Sequence, residues 1–161
     1  MNQCVFSADR KYRYLLIHRW EPESPERPCM WLALNPSTAD ESGLDNTLTR
    51  IRSFSRAAGF NAFYMANLFA LVSTDSKGMK RHCYPVGPDN DDHIRQIAFQ
   101  ILTIFVAWGT HGRHQNRDRE VLGLLARLGR TELLCFASNK DGSPKHPLYL
   151  SGKLKPVDFR G

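Results

Sequence analysis

The sequence predicts an α/β protein built in three layers, α/β/α, with a mostly parallel central sheet of about four strands and an N-terminal edge strand or hairpin beside it. Two observations carry this. Apolar runs suited to buried strands, at residues 30–34, 62–71, 104–108 and 132–136, alternate with longer segments (45–58, 89–103 and 118–128) whose apolar side chains recur at helical spacing. Glycines stand where two of those helical segments must stop.

Residues 12–20 alternate apolar and basic side chains, the pattern of an exposed edge strand, and the proline-rich residues 21–28 form a loop. Residues 30–34 (MWLAL) are the first buried strand. In 45–58, Leu48, Ile51, Phe54 and Ala58 share one helical face, and Gly59 closes the helix. Residues 62–71 (AFYMANLFAL) are apolar almost throughout, as in a strand covered on both faces, with Asn67 the polar interruption. Residues 72–88 read as irregular. The acidic and amide residues from Asp89 onward suit a helix start, and Ile94, Ile97, Ala98 and Ile101 form its apolar side. A third strand ends at Gly109, a helix over 118–128 is followed by Gly129, and a fourth strand covers 132–136. The order from residue 30 is β-α-β-α-β-α-β. Nothing resembles an internal repeat or linker, so the expectation is one domain over residues 1–161.

With 22 Lys and Arg against 16 Asp and Glu, the formal charge is +6, which favours an anionic partner such as nucleic acid. Charged residues interrupt any apolar run at the N-terminus, and no run approaches the roughly twenty residues that span a bilayer. The scattered Cys4, Cys29, Cys83 and Cys135 contain no CxxC pair, and a reducing cytoplasm is the expected setting. Cys29 and Cys135 fall in strands and read as small buried hydrophobes. No GxGxxG or GxxxxGK[ST] cradle is present, and the spacing of His82, Cys83, His111 and His114 matches no zinc pattern, so no cofactor and no metal are expected.

Ligands of parallel sheets bind beyond the carboxyl ends of the strands. The unusual polar residues lie there: Asn35 to Thr38, Asn67, the Gly109-Thr-His-Gly112 turn, and residues 138–146. Asn35 ahead of Pro36 serves equally as a turn former or helix cap. An amide at position 67 within an apolar strand requires a specific polar partner, either a ligand or a neighbouring loop, because each unmet group costs about 1–3 kcal/mol. Pro144 and Pro147 bracket His146, restricting the backbone on both sides as a positioned imidazole would require and as ordinary loops also do. His111 between glycines reads as a surface residue.

The segments Leu34-Asn-Pro-Ser-Thr-Ala-Asp40, Asp45-Asn-Thr-Leu-Thr-Arg50, Asn67-Leu-Phe-Ala70, Pro85-Val-Gly-Pro-Asp-Asn90, Ala107-Trp-Gly-Thr-His-Gly112 and Lys140-Asp-Gly-Ser-Pro-Lys-His-Pro-Leu-Tyr-Leu150 together resemble the domain-of-unknown-function 1643 family of bacteria and their phages. More distantly, Ala33-Leu-Asn-Pro-Ser37, Asn67, Ala107-Trp-Gly109 and His146-Pro-Leu-Tyr-Leu-Ser151 resemble, in order, the motifs of the uracil-DNA glycosylase superfamily. That resemblance implies a uracil-DNA glycosylase-like fold. It also implies that Asn35 holds an attacking water, Asn67 reads the base edge and His146 stabilises the negative charge on the departing base. Ala33 and Ser37 stand where that superfamily has small glycines, and Leu148 and Tyr149 replace its Ser-Pro, a departure that counts against uracil as the substrate.

Breaking an N-glycosidic bond builds positive charge on the sugar and negative charge on the base, so a site needs a positioned water, an anion and a donor. Asn35 orients water, Asp40 and Asp45 are the carboxylates nearest in sequence, and His146 is the donor. Phe69 and Trp108 offer aromatic faces to an extruded base, with Ser37 beside them, although both aromatics equally suit a core. Arg113, Arg117, Lys140 and Lys145 are the candidate phosphate contacts. The expected activity is therefore a base-flipping, glycosylase-like hydrolysis on nucleic acid, DNA in the first place. The alternatives are a non-catalytic base- or nucleotide-binding module, and a small-molecule nucleoside hydrolase or transferase using the same pocket.

Overall fold

A computed structural model describes residues 2–21, 24–37 and 43–161. Its centre is a seven-stranded mixed sheet in the order β1-β2-β4-β3-β5-β6-β7, formed by Asn2–Phe6, Arg13–Arg19, Pro28–Ala33, Ala62–Asn67, Ile104–Val106, Leu133–Cys135 and Val157–Asp158 for β1 to β7. β3 pairs in parallel with β4 and β5, and β5 with β6. The pairs β1/β2, β2/β4 and β6/β7 are antiparallel. The expected sheet of about four mostly parallel strands is thus too small and too uniform. The expected N-terminal hairpin is β1–β2, which joins the sheet antiparallel through β4, and the unexpected two-residue β7 adds a second antiparallel edge.

Among the described residues, four α-helices accompany the sheet: α1 (Asn46–Ala57), α2 (Ser76–Arg81), α3 (Asn90–Gln100) and α4 (Arg117–Arg127). β3 shows how the two faces divide, because side chains alternate along a strand. Cys29, Trp31 and Ala33 join Leu48, Ile51 and Phe54 of α1, whereas Met30 and Leu32 join Met79, Ile94, Ile97, Val121, Leu124 and Leu125 of the other three helices. Under α1 the indole of Trp31 donates to Ser55 Oγ at 2.9 Å, and Ser55 returns its hydrogen to the Ile51 carbonyl at 2.8 Å, so the buried polar groups are satisfied. Burial pushes the Cys29 thiol up to about 12, keeping it protonated as a small apolar residue.

The residue-12-to-20 segment is not an exposed edge. β2 lies between β1 and β4, and all but two of its residues are buried, because β1 covers the edge it would otherwise present. The apolar run over 62–71 also leaves the sheet early, at Asn67. Beyond it, the freed backbone finds other partners: Leu68 N donates to the Ala33 carbonyl at 2.9 Å and Phe69 N to the Leu34 carbonyl at 3.0 Å. Residues 72–88, expected to be irregular, contain α2, which is held by one buried side chain, Met79.

Connections place the cleft. From β3 the chain runs through α1 to β4 on one side, and from β4 it returns through α3, on the opposite face, to β5 on the other side of β3. Loops leaving β3 and β5 therefore diverge to opposite faces, which opens a crevice between their carboxyl ends, the switch point of a parallel sheet. Among the described residues, no helix is long and apolar enough to cross a membrane.

Candidate functional site

A cleft of about 680 Å³ opens at that switch point, walled by Leu34, Asn35 and Ser37 after β3, by Trp108 to His111 after β5, by Thr74 to Ser76, and by Lys145, His146 and Tyr149 of the late loop. Asn35 Nδ2 donates to the carbonyls of Pro36 and Ser73, both at 3.1 Å, which fixes the amide and leaves its Oδ1 to accept. Ser37 donates to Asp45 Oδ2 at 2.5 Å, and Asp45 Oδ1 accepts from Leu48 N at 2.7 Å as the N-cap of α1. Both oxygens of Asp45 are engaged.

The late loop is built to hold His146. Residues 139–143 turn tightly, with Asn139 N bonded to the Ser143 carbonyl and Gly142 at φ 85. Lys145 N bonds the Ala137 carbonyl, and Gly109 N bonds the Pro144 carbonyl at 2.9 Å, which ties the late loop to the end of β5. Gly109 (φ 69, ψ −171) lies in a backbone region that only glycine enters without strain. His146 then caps a short 3-10 turn, Pro147–Tyr149: its Nδ1 accepts from Leu148 N at 3.3 Å, so a neutral ring carries its proton on Nε2. Burial holds the imidazole below its usual value, and the nearby Asp45 carboxylate opposes this. At neutral pH the cleft therefore presents an N–H donor at 146 and a carbonyl acceptor at 35.

Trp108 lines the cleft as a buried ring, edge-on to Phe159 at 5.7 Å. Gly112 lies so close that a β-carbon there would stand 2.2 Å from the Trp108 ring, so this glycine is required by contact rather than by backbone angle.

The structure brings together Asn35, Ser37, Asp45, Trp108, Lys145 and His146. Asp40 lies outside the described residues. Asn67 and Phe69 do not line the cleft. Asn67 is 1% exposed, and neither of its side-chain amide atoms has a hydrogen-bond partner among the described residues. Phe69 is fully buried and packs on the His114 ring at 5.6 Å. Arg117, expected as a phosphate contact, is a structural residue: it is 3% exposed and donates to the Leu68 carbonyl at 2.8 Å and to Asp91 and Glu120. Arg113 lies outside the cleft and donates to the Asp141 carbonyl, and Lys140 is exposed on the turn beside it.

The cleft also takes in Arg13, which the sequence pattern did not point to, and His111 and Tyr149, whose segments were expected at the strand ends without a role being assigned to either. Arg13 is 2% exposed, and the alternation of residues 12–20 had assigned it to a solvent face. His111 Nδ1 accepts from the Lys80 ammonium at 3.0 Å, and burial together with Lys80 keeps its ring below the usual value. Its place in the GTHG turn was the available signal. Tyr149 stands at the rim, 86% exposed, 6.3 Å from the His146 ring, and does not close the cleft. Among the described residues, no group of three or more His, Cys, Asp or Glu is arranged to hold a metal ion.

No curated protein and no solved structure matches this chain. The sequence profile of one family, described as a protein of unknown function (DUF1643), matches residues 13–148, most of the chain, and the chain belongs to that family.

Proposed function

We propose that the cleft receives a nucleobase presented by nucleic acid, and that Asn35 and His146 act across it in glycosylase-like hydrolysis of the N-glycosidic bond. The observation that carries this reading is that Asn35, His146 and Trp108, distant in sequence, line one cleft at the sheet's switch point. In this reading the four parallel strands β4-β3-β5-β6, with helices on both faces, form a uracil-DNA glycosylase-like core, as the order of motifs implies.

As the bond from the sugar carbon to the base nitrogen breaks, its electron pair leaves with the base. His146 Nε2–H donates to the base where negative charge grows, a role for a preorganised donor in a partly dry site. Asn35 Oδ1 accepts from a water and orients its oxygen toward the sugar carbon, where the new bond forms. Asp45 adds negative charge near the cationic sugar, and the water's proton passes to solvent or base. Trp108 gives an aromatic wall to the base, and Lys145 is a cation at the rim.

One observation favours a second reading, base binding without cleavage: both Asp45 oxygens are committed to Ser37 and Leu48, which leaves that carboxylate ill-suited to deprotonate water. Release of free base from modified phage DNA, measured by mass spectrometry, separates the two. Hydrolysis predicts released base, with His146→Ala and Asn35→Ala each lowering the rate by about 10²–10³. Retained binding with no released base establishes the second reading, and release unchanged in both variants overturns the assigned roles.

A further inference from the structure

We infer that Lys80 and His111 form a phosphate subsite on the rim of the cleft, which grips a phosphate of the nucleotide whose base the cleft receives; that the phosphate belongs to a nucleotide rests on the nucleobase reading. His111 lies in the turn after β5 and lines the cleft, and Lys80 lies in the last turn of α2. They are distant in sequence, yet the Lys80 ammonium donates to His111 Nδ1 at 3.0 Å.

Two basic side chains drawn together without an acid form an arrangement that an anion completes. Lys80 pairs with no carboxylate among the described residues. Asp75 lines the same wall of the cleft, but its Oδ1 accepts from Gly78 N at 2.5 Å as the cap of α2. The carbonyl end of α2 favours a lysine in its last turn whatever that lysine faces. That preference does not carry the ammonium across to the turn of another strand.

Because Nδ1 accepts from Lys80, the neutral ring of His111 holds its proton on Nε2. The pair therefore offers a full positive charge and an N–H donor of fixed tautomer, which suits two oxygens of one phosphate. Ser76 and Thr110 line the same wall and add hydroxyl donors. Both partners stand on pinned backbone. Fully buried Met79 holds α2 next to Lys80, and the bond from Gly109 N to the Pro144 carbonyl, with Gly112 against the Trp108 ring, holds the turn that carries His111. A nucleotide carries its phosphate one sugar away from the base, so a base held in the cleft brings that phosphate to the rim.

The test compares dissociation constants of the common nucleosides with those of their 5′- and 3′-monophosphates and of trinucleotides carrying the same base in the middle, for the wild type, Lys80→Gln, Lys80→Arg and His111→Ala. Melting midpoints check that each variant keeps its fold, and the exposure of His111 makes its truncation the milder change. The wild type should bind a phosphate-bearing ligand about tenfold more tightly than the matching nucleoside, the gain expected of one charge-assisted contact. Lys80→Gln and His111→Ala should each remove most of that ratio, and Lys80→Arg should keep it. A ratio lost for the trinucleotide assigns the subsite to the diester of a chain, and one lost for the monophosphates alone assigns it to a free nucleotide. A wild-type ratio near one for every phosphate-bearing ligand, or a ratio unchanged in both Lys80→Gln and His111→Ala, would overturn the subsite and leave the nucleobase reading standing. Inorganic phosphate separates the converse failure. If it shifts the His111 ring nitrogens in the wild type but not in Lys80→Gln, while no nucleoside binds, the nucleobase reading falls and the subsite stands; silence toward phosphate and every nucleotide would overturn both.

Discussion

Neutral histidines are the clearest residue-scale feature. Burial lowers His18 to about 4, and its Nδ1 lies 2.6 Å from Asn2 Oδ1, which fixes that nitrogen as the protonated one and leaves Nε2 without a hydrogen-bond partner among the described residues. In the unfolded chain the same ring titrates near 6.5. The unfolded state therefore binds the proton first as pH falls, so the stabilisation is complete above pH 6.5 and is lost from there down to about 4. His146 and His111, both also lowered by burial, act in the same direction. Urea midpoints should fall across that window, and His18→Gln should flatten part of the slope. Stability that rises as pH falls through the same window would contradict the assignment. Residue types at the cleft were legible in part: Asn35, Ser37, Trp108 and His146 announced themselves as polar or aromatic residues at strand ends. Asn67 looked equally promising, yet a strand end does not reveal which face a side chain takes, and this amide is buried away from the cleft lining.

Elements differ in how much of their cause is local. α1 was readable because Leu48, Ile51 and Phe54 repeat at helical spacing and Gly59 follows, and the structure adds Asp45 as its cap. α2 was not, since six residues with one apolar side chain carry no period. Met79, fully buried, pins that helix to the core, and Lys80 then reaches His111 across the rim. Met79→Ala should cost about 2–5 kcal/mol through the cavity it leaves. It should also speed amide exchange over residues 76–81, measured by hydrogen–deuterium exchange with mass spectrometry, and unaltered exchange there would show that α2 is held by something else. The misreading of Arg117 has an element-scale cause as well. β4 ends at Asn67, which exposes the Asn67 and Leu68 carbonyls inside the protein, and Asn90 Nδ2 and Arg117 Nε donate to them. A basic cluster at a helix start gave no hint that one of its members serves a distant strand end.

At the scale of the whole molecule, the alternation of strands and helices from residue 30 foretold parallel pairing, and so a binding crevice at carboxyl ends. Of the flanking strands, the N-terminal hairpin was expected and is β1–β2, whereas β7 was not foretold, being two exposed residues whose pairing depends on β6 having a free edge. The net charge of +6 gives the sign of the expected partner without its location. What the whole architecture does is bring Asn35 and His146 to one cleft, which the proposed function takes as a nucleobase site. The most direct measurement of that claim is an NMR titration with free nucleobases and nucleosides, following the His146 ring nitrogens and the Trp108 indole N–H. Both signals should shift together with one midpoint for a preferred base, and Asn35→Ala should weaken that midpoint. Signals that stay fixed for every base, or that move with unrelated midpoints, would show that these residues do not share a nucleobase site.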